Sequence, residues 1–404
     1  MRDDLIFLSC PKFKIRVMNA GKYIFSQLVD FLPQRVFDNI VAKYDGNKYV
    51  KHFTCWNQLL VMIFGQLSNR DSLRDLIIAT DAHSNKNYHL GFGKSVTRSN
   101  LSKANERREY KIFEDYAFYL IGLARKLRAN NDFEIKGKVY AFDSSTIDLC
   151  LSVFWWAKFR KTKAGVKLHV LYDITTQIPT FIHITNAKEN DMKAMDIIPY
   201  ESGAYYIFDR GYIDYKRLFA IANHTAYFVV RAKKNLQFQC TQTNPVNEKN
   251  GVMSDQIGKL TDSITSQYYS ESIRKVVYYD SQTNKTYVYL TNNLELSAEQ
   301  IALLYKCRWQ IELFFKWIKQ HLKIKSFWGT TENAVRIQIY TAIISYCLVA
   351  IIEKNLMINR STYEVLQILS LSLLDKSPIL ELFFNENRND VKELSSEQLT
   401  LNFF

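Results

Sequence analysis

The pattern of apolar and polar positions divides the chain into a helical first third, a strand-rich middle and a helical end. Residues 18–130 carry apolar positions at helical spacing and no strong strand pattern. From Lys138 onward the pattern changes to short runs of β-branched and aromatic residues, which are typical of strands. These runs are KVYAF, VKLHVLYDI, TFIHIT and AYYIF, and the run after them, IDYKRLFAIANH, has helical spacing. Strands followed by helices predict a mixed α/β sheet.

Further strand-like runs extend the middle of the chain before the helical pattern returns. AYFVVRA, IRKVVYYD and KTYVYLTN fall within residues 225–296, and SQTN between the last two predicts a hairpin turn. An amphipathic pattern begins at Met18, so we expect the residues before it to be a disordered leader or a non-native start. The predicted domains are the leader 1–17, a helical N-terminal domain 18–130, the first part of the core 131–224, a β-rich insertion 225–296, the core helix 297–330 and C-terminal helices 331–404.

Four polar residues share one side of a predicted helix in the segment YKCRWQIELFFKWIK. They are Tyr305, Arg308, Glu312 and Lys319. At about 100° per residue, their spacing places them within an arc of roughly 60°. The residues between them are mostly large and apolar, so a carboxylate held between two cations suits a site that binds both metal and phosphate. The alternative is an ordinary surface Glu312 that pairs with Arg308 or Lys316, four residues away.

Two aspartates follow predicted strands and supply further candidate carboxylates. Asp143 follows VYAF, and Asp209 follows AYYIF. Strand ends of an α/β sheet are where ligand sites collect. With Glu312 they would make a cluster of hard oxygen ligands for Mg²⁺ or Mn²⁺, and two such ions could activate a hydroxyl nucleophile and stabilise the leaving oxygen. Taken singly, an Asp after a strand is more often a turn or cap residue.

Composition limits the function classes. The net charge of +13 and the pI of about 9.2 favour an anionic partner, most commonly nucleic acid, although a basic protein without such a partner remains the alternative. The six cysteines include no C-x-x-C pair, which argues against a zinc site or a disulfide framework and for a reducing compartment. The apolar run 337–352 is interrupted by Gln338 and is short for a membrane span. We therefore expect a buried core helix in a soluble protein with no membrane partner.

A basic segment rich in aromatic residues, FWWAKFRKTKAGVKLHV, lies in the strand-rich region. Its cations are Lys158, Arg160, Lys161, Lys163 and Lys167. Cations for the phosphate backbone and rings for exposed bases favour a nucleic-acid surface. A basic loop on a basic protein is the alternative.

A second basic cluster lies in the helical N-terminal domain, within SVTRSNLSKANERR. It contains Arg98, Lys103, Arg107 and Arg108. The segment has the pattern of two helices joined near residues 99–102, as on a small DNA-binding module. A solvated charged helix is an equally good interpretation of the same residues.

The order Y-x2-R-x3-E-x6-K resembles the signature of bacterial insertion-sequence transposases of IS family four, a branch of the DDE transposases. Its positions here are Tyr305, Arg308, Glu312 and Lys319. FDSSTIDL at 142–149 and DRGY at 209–212 resemble the first and second aspartate blocks of that family, and KFRKTKAGVKLHVLYD and the pair Asn190–Asp191 are similar to it too. MNAGKYIFSQL and VTRSNLSKANERR resemble the helical domain that often precedes the catalytic one. The resemblance covers nearly the whole chain from Met18.

The resemblance implies an RNase H-like catalytic domain with a β-rich insertion between the second Asp and the Glu. It implies that Asp143, Asp209 and Glu312 bind two Mg²⁺ ions, and that Tyr305, Arg308 and Lys319 hold phosphates of the transposon end. The reaction would be cut-and-paste transposition, usually through a DNA hairpin, by a homodimer on paired terminal inverted repeats in a bacterial cytoplasm, at the nucleoid. The alternatives are an RNase H-fold nuclease that does not join DNA and an inactive DNA-binding regulator.

The chain departs from the family pattern in one respect. Some relatives place a Trp in the insertion to receive a base flipped out of the hairpin. All six Trp here, at 56, 155, 156, 309, 317 and 328, lie outside residues 210–308. Tyrosines of the insertion are the candidates to stack instead, and these are Tyr278, Tyr279, Tyr287 and Tyr289.

Overall fold

The structure is a computed structural model that describes residues 21–93, 96–129, 135–322, 324 and 327–383. The chain forms two compact units. One comprises Met1–Leu127 with Ile318–Phe404, and the other comprises Arg128–Trp317. The N-terminal and C-terminal helices, which were predicted as separate domains, belong to the same unit. The predicted leader 1–17 lies outside the described residues.

The N-terminal part of the first unit is helical, as its apolar spacing predicts. Its helices are α1 (Ile24–Val29), α2 (Gln34–Lys43), α3 (Cys55–Leu67), α4 (Leu73–Ala82), α5 (Arg98–Arg107) and α6 (Lys111–Arg128). Threonine side chains cap the starts of two of these helices, where their hydroxyl oxygens accept hydrogen bonds from otherwise unpaired backbone N–H groups. The Thr54 hydroxyl accepts a hydrogen bond from Asn57 N, and Thr97 accepts one from Asn100 N. Helix α3 is buried along nearly its whole length, so it forms the centre of this helical part.

The second unit is built on a mixed sheet. Its first elements are β1 (Val139–Leu149), β2 (Lys158–Arg160), β3 (Lys163–Asp173), β4 (Ile178–Asn186), β5 (Tyr205–Phe208), α7 (Tyr215–Asn223) and β6 (Tyr227–Arg231). The order β4-β3-β1-β5-β6 has antiparallel pairs up to β1 and parallel pairs from β1 to β6. Strand β2 pairs with the start of β3. The predicted mixed α/β, RNase H-like fold is confirmed.

The β-rich block continues the same sheet. Its elements are β7 (Phe238–Thr243), β8 (Val252–Leu260), α8 (Thr265–Tyr268), β9 (Ile273–Asp280) and β10 (Lys285–Thr291). Strand β10 pairs antiparallel with β6, and the order then runs β10-β9-β8-β7. The run AYFVVRA, which the sequence analysis placed in the insertion, instead supplies β6 of the core sheet. The predicted hairpin at SQTN is confirmed, because Asp280 pairs with Lys285 across it.

The long helix predicted through Tyr305 and Lys319 is divided in the structure. It consists of α9 (Ala298–Cys307) and α10 (Trp309–His321), with Arg308 between them. Arg308 N donates to Tyr305 O at 3.1 Å, and Ile311 N donates to Arg308 O at 3.1 Å. These tight i to i+3 bonds keep the backbone close to helical while the regular helix is interrupted.

The C-terminal helices complete the first unit. They are α11 (Glu332–Asn355), α12 (Thr362–Ser372) and α13 (Ile379–Phe383). By length and composition alone α11 is apolar enough to cross a membrane, but 94% of its most apolar window is buried inside the protein. The polar Gln338 on it accepts a hydrogen bond from Trp328 N at 2.7 Å. This helix therefore has the environment of a core helix, as its interrupted apolar pattern predicts.

Candidate functional site

Strand register places two aspartates side by side in the second unit. Phe142 of β1 pairs with Phe208 of the parallel strand β5. Both phenylalanines are fully buried, and each is followed directly by an aspartate, Asp143 or Asp209. The structure differs from the sequence prediction in one detail. Asp143 is not at the end of its strand, because β1 continues to Leu149 beside β3, but it stands where the pairing with β5 ends.

The α9–α10 junction contributes the groups that face these aspartates. The Tyr305 hydroxyl donates to Asp209 Oδ1 at 3.2 Å. Arg308 Nη2 lies 2.5 Å from Glu312 Oε1, and Arg308 Nη1 lies 3.8 Å from Asp143 Oδ2. Tyr305, Arg308 and the three predicted carboxylates therefore belong to one connected cluster, with the guanidinium between two of the acids.

Burial dominates the electrostatics of Asp143. Loss of hydration is the main cause that raises the pKa of this carboxyl to about 6, and the neighbouring charges of Glu312 and Asp209 act in the same direction. The Ser144 N–H, which donates to Asp143 Oδ1 at 2.8 Å, and the Arg308 guanidinium act in the opposite direction. Burial also raises the pKa of Tyr305 to about 12, so its hydroxyl keeps its proton near neutral pH and donates to Asp209. A cation close to Asp143 would relieve the cost of its buried charge.

The three carboxylates are suitable ligands for a divalent cation, but their side chains are not arranged around a metal position. Three carboxylates provide the hard oxygen ligands that Mg²⁺ and Mn²⁺ prefer. Among the residues that the structure describes, no three acidic, His or Cys side chains are grouped closely enough to hold a metal. The Arg308 guanidinium bridges Asp143 and Glu312 instead. The guanidinium thus occupies the space between two of the three carboxylates.

An aromatic cavity of about 470 Å³ adjoins Asp209 within the second unit. Tyr305 and Arg308 also line it. On β10, Tyr287 and Tyr289 are two residues apart and so share a face; their ring planes differ by 7°. Hence the cavity combines stacking surfaces with charges at the edge of the carboxylate cluster, and we call it the tyrosine cavity.

Sequence reasoning missed two members of the tyrosine cavity. The Arg231 guanidinium lies 4.9 Å from the centre of the Tyr287 ring, and Trp309 is 57% exposed at the start of α10. Nothing near Arg231 in the chain marks it, because only the pairing of β6 with β10 brings it to Tyr289. Trp309 stands inside the Y-x2-R-x3-E motif and was interpreted as an apolar spacer.

Lys319 is on α10, two turns beyond Glu312. The chain from Ile318 onward belongs to the first unit, whereas Glu312 belongs to the second. That Lys319 shares the side of Glu312 stays a prediction from helical periodicity.

The basic segment of the second unit forms the β2–β3 hairpin and is not uniform. Lys158, Arg160, Lys161 and Lys163 are exposed. Lys167 is different, because its side chain is 14% exposed and its Nζ lies 3.0 Å from Asp191 Oδ1. The same ammonium donates to Glu189 O at 2.8 Å. Lys167 thus stabilises the loop after β4, and only the other four cations present an open surface.

The basic cluster of the first unit divides in the same way. Arg98, Lys103 and Arg107 are exposed on α5. Arg108 points inward, and its guanidinium donates to Thr54 O at 2.9 Å, to Gln58 Oε1 at 2.8 Å and to Phe53 O. Arg108 is therefore a structural residue.

Comparison with known proteins shows which proteins this chain is similar to. Residues 134–348, more than half of the chain, match the family described as Transposase DDE domain, and residues 20–93 match a domain of unknown function, DUF4372. A protein of Sinorhizobium fredii named as a transposase is 37% identical over 272 residues, which cover 66% of this chain and 74% of that protein. A probable transposase for insertion sequence element IS5377 of Geobacillus stearothermophilus is 28% identical, covering 62% and 66%. A solved synaptic complex of piggyBac transposase with hairpin DNA aligns with a TM-score of 0.46 at 9% identity, covering 94% of this chain and 85% of that one.

Proposed function

The chain belongs to the family of transposases with a DDE catalytic domain, and from this premise we propose how its residues cleave and join DNA. The substrate is double-stranded DNA: the terminal inverted repeats of an insertion sequence and a target duplex. The observation that carries the proposal is the register of β1 and β5, which aligns Asp143 with Asp209 beside the α9–α10 junction. Glu312 completes the set through its contact with Arg308.

In this proposal Asp143, Asp209 and Glu312 hold two divalent cations, Mg²⁺ or Mn²⁺. When bound, such ions activate a hydroxyl nucleophile and neutralise the charge that develops on the phosphodiester. Tyr305 orients Asp209 through its hydroxyl. The half-buried position of Asp143, whose side chain is 23% exposed, strengthens the charge interactions made there.

We assign a double role to Arg308. Without metal, its guanidinium neutralises Asp143 and Glu312. If a metal were to neutralise those carboxylates, the planar fork of the guanidinium would be free to donate two parallel hydrogen bonds to a DNA phosphate. Lys319 adds a second cation on the same side of the helix, and the exposed cations of the β2–β3 hairpin extend the phosphate-binding surface.

The finer assignment is to IS family four with a hairpin intermediate. The Y-x2-R-x3-E-x6-K order supports the first part. For the second, the tyrosine cavity offers Tyr287 and Tyr289 as a stacking surface for an extruded base where a Trp of the insertion is absent. The proposed working form is a homodimer on paired transposon ends at the bacterial nucleoid.

The first prediction concerns Glu312. Glu312→Gln should keep binding to end DNA but abolish metal-dependent nicking, because a neutral amide is a poor ligand for Mg²⁺. The measurement is nicking of a supercoiled plasmid that carries the element's own ends, with and without Mg²⁺. Glu332→Gln is the control, since Glu332 pairs with Arg336 on α11 in the same four-residue spacing and lies outside the site.

Normal nicking by Glu312→Gln would overturn the site assignment. A separate strand-transfer assay with pre-cleaved ends distinguishes the transposase from a nuclease: wild-type protein that nicks but yields no joined product acts only as a nuclease. Wild-type binding without any nicking indicates a DNA-binding regulator.

A further inference from the structure

A basic groove in the first unit lies outside the catalytic cluster. One wall is the 44–53 loop, which connects α2 to α3, and the other is a face of α5. The groove is open, with a volume of about 850 Å³. The α5 wall is formed by one helical stripe, since its members are spaced by three and four residues. These members are Asn100, Lys103, Ala104 and Arg107.

The groove carries an excess of positive charge. Its cationic side chains are Lys48, Lys51, Lys103, Arg107 and Arg108, and its carboxylates are Asp45 and Glu109. Lys48 lies 3.8 Å from Asp45, and Arg108 is used internally. Lys51, Lys103 and Arg107 are exposed and form no ion pair with any residue in the described ranges. Three cations on two facing walls are therefore open to an anionic partner.

Tyr49 is exposed beside these cations in an unusual conformation. Its side chain is 93% exposed, and its φ is 60°, in the left-handed region. For a bulky residue this conformation costs about 1–2 kcal/mol. The ring gains no burial in return, and Lys48 Nζ lies 5.8 Å from the ring centre. A strained, exposed aromatic residue indicates a role in binding rather than in folding.

The 44–53 loop is held firmly, so Tyr49 is presented from a fixed base. Cys55 N donates to Asn47 Oδ1 at 2.8 Å, and Val50 N donates to Asn47 O at 3.0 Å. At Gly46 an added Cβ would meet Ile112 Cδ1 at 2.5 Å, which shows how closely the loop packs on α6. Arg108 ties the other end of the loop through the carbonyls of residues 53 and 54. Little ordering is needed when a ligand binds.

We propose that the basic groove binds the backbone of duplex DNA, with phosphates on Lys51, Lys103 and Arg107 and the Tyr49 ring against a sugar and base edge of the same duplex. Phosphate neutralisation by lysine and arginine is the main source of affinity for duplex DNA, and a ring adds contact that does not depend on charge. The inference rests on the proposed function, which makes DNA the partner. It gives the matched domain of unknown function, which contains the 44–53 loop, a DNA-holding role.

The first test removes the charges of the α5 wall in the full chain. The double variant Lys103→Ala, Arg107→Ala should bind a fluorescein-labelled duplex of about 30 bp at least tenfold more weakly than wild type. For this variant the slope of log K against the logarithm of the salt concentration should be shallower by about 2, because each lost phosphate contact removes roughly 0.9 from the slope. The charge-matched control is Arg74→Ala, Lys354→Ala, which removes two exposed cations of the same unit outside the groove.

The second test separates binding from folding at Tyr49. Tyr49→Gly should leave Tm unchanged or raise it, because glycine adopts a φ of 60° without strain. The same variant should bind the duplex roughly tenfold more weakly, since it loses the ring. Tyr88→Ala removes another exposed tyrosine of this unit, 83% exposed and outside the groove, and should bind as wild type does.

The outcomes distinguish this inference from the proposed function. Wild-type affinity and salt slope in both groove variants would overturn the groove assignment, while metal-dependent nicking would still support the transposase. If polyglutamate displaces the labelled duplex from the wild-type protein but not from the groove variants, the groove is supported as the DNA-binding site. Wild-type protein that binds polyglutamate in the groove but no DNA would overturn both proposals.

Discussion

At the scale of single residues, Asp143 is where fold stability and the proposed catalytic role conflict. A carboxylate that loses much of its hydration is costly to keep charged, and its pKa of about 6 expresses that cost. In the proposed function the same environment would favour binding of a cation. A proposed active site that destabilises the metal-free protein is consistent with a trade-off between stability and activity.

The second prediction follows from the direction in which the pKa of Asp143 is shifted. The folded pKa lies above the ordinary 3.8, so the folded state holds the proton more tightly. The stability from this group is fully present below pH 3.8 and is lost as pH rises through about 6. Asp143→Asn should therefore stabilise the metal-free protein at pH 8 by about 2 kcal/mol and should have little effect near pH 3.5. Denaturant unfolding at both pH values measures this.

Asp148→Asn is the control for that measurement, because Asp148 is exposed on the same strand. It should change stability little at either pH. Equal or lower stability of Asp143→Asn at pH 8 would show that burial does not dominate at this carboxyl.

The third prediction concerns Arg308. Removing its guanidinium leaves Asp143 and Glu312 without their cation, so Arg308→Ala should bind Mn²⁺ more tightly in the absence of DNA, by roughly tenfold. It should also process DNA ends more slowly and with greater sensitivity to salt, because a phosphate contact is lost. Calorimetric titration with Mn²⁺ and nicking rates at several salt concentrations test the two effects.

Arg336→Ala provides the comparison, since Arg336 pairs with Glu332 four residues away but far along the chain from the carboxylates. Weaker Mn²⁺ binding by Arg308→Ala would mean that the arginine supports the metal site instead of competing with the metal. Unchanged processing at all salt concentrations would argue against its phosphate role.

At the scale of elements, pairing between strands builds the tyrosine cavity. Strand β10 carries Tyr287 and Tyr289, and its neighbour β9 carries Tyr278, which pairs with Tyr287. Strand β8 supports β9 from the other side, where Tyr279 N donates to Gly251 O at 2.7 Å. The cavity therefore depends on backbone contacts several residues away from its rings.

The fourth prediction tests that dependence at Gly251. Its φ is 83°, and an added Cβ would lie 2.6 Å from Tyr279 O, a backbone atom that cannot easily move. Gly251→Ala should cost about 2–4 kcal/mol, from left-handed strain and the steric conflict together. Thermal unfolding measures the loss, and hydrogen exchange should localise it to β8 and β9.

Gly203→Ala isolates the steric part, because Gly203 also has a positive φ, 73°, but nothing within 4 Å of its Cβ position. It should cost only about 1 kcal/mol. Equal losses for the two variants would mean that the contact with Tyr279 is relieved by a small shift of the sheet.

At the scale of the whole molecule, the basic groove and the carboxylate cluster belong to different parts of the chain. The carboxylates and the tyrosine cavity belong to the second unit, and the basic groove belongs to the first. In the proposed function the net charge of +13 would serve both, since a positive protein attracts DNA over distances longer than any single contact. Groove variants should thus impair DNA holding, and carboxylate variants should impair cleavage.

Much of this organisation could be predicted from the sequence, because it depends on patterns within single helices and strands. Helical and strand periodicities record which face of each element is buried, so they predicted the helical ends and the mixed sheet. The spacing of Tyr305, Arg308 and Glu312 records the turn of one helix, and it placed these three together correctly even though the helix is interrupted at Arg308. The motif order of the DDE family was likewise present in the sequence alone.

Contacts between residues far apart in the chain were decided only by the tertiary structure. The pairing of β6 with β5 assigned AYFVVRA to the core, and the register of Phe142 with Phe208 aligned the two aspartates. Lys167 and Arg108 looked like their basic neighbours, but packing turned both toward internal oxygens. Tyr49 carried no signal in the sequence, because an unusual φ is set by the loop that surrounds it. Periodicity reports burial along one element, whereas these outcomes depend on which elements meet.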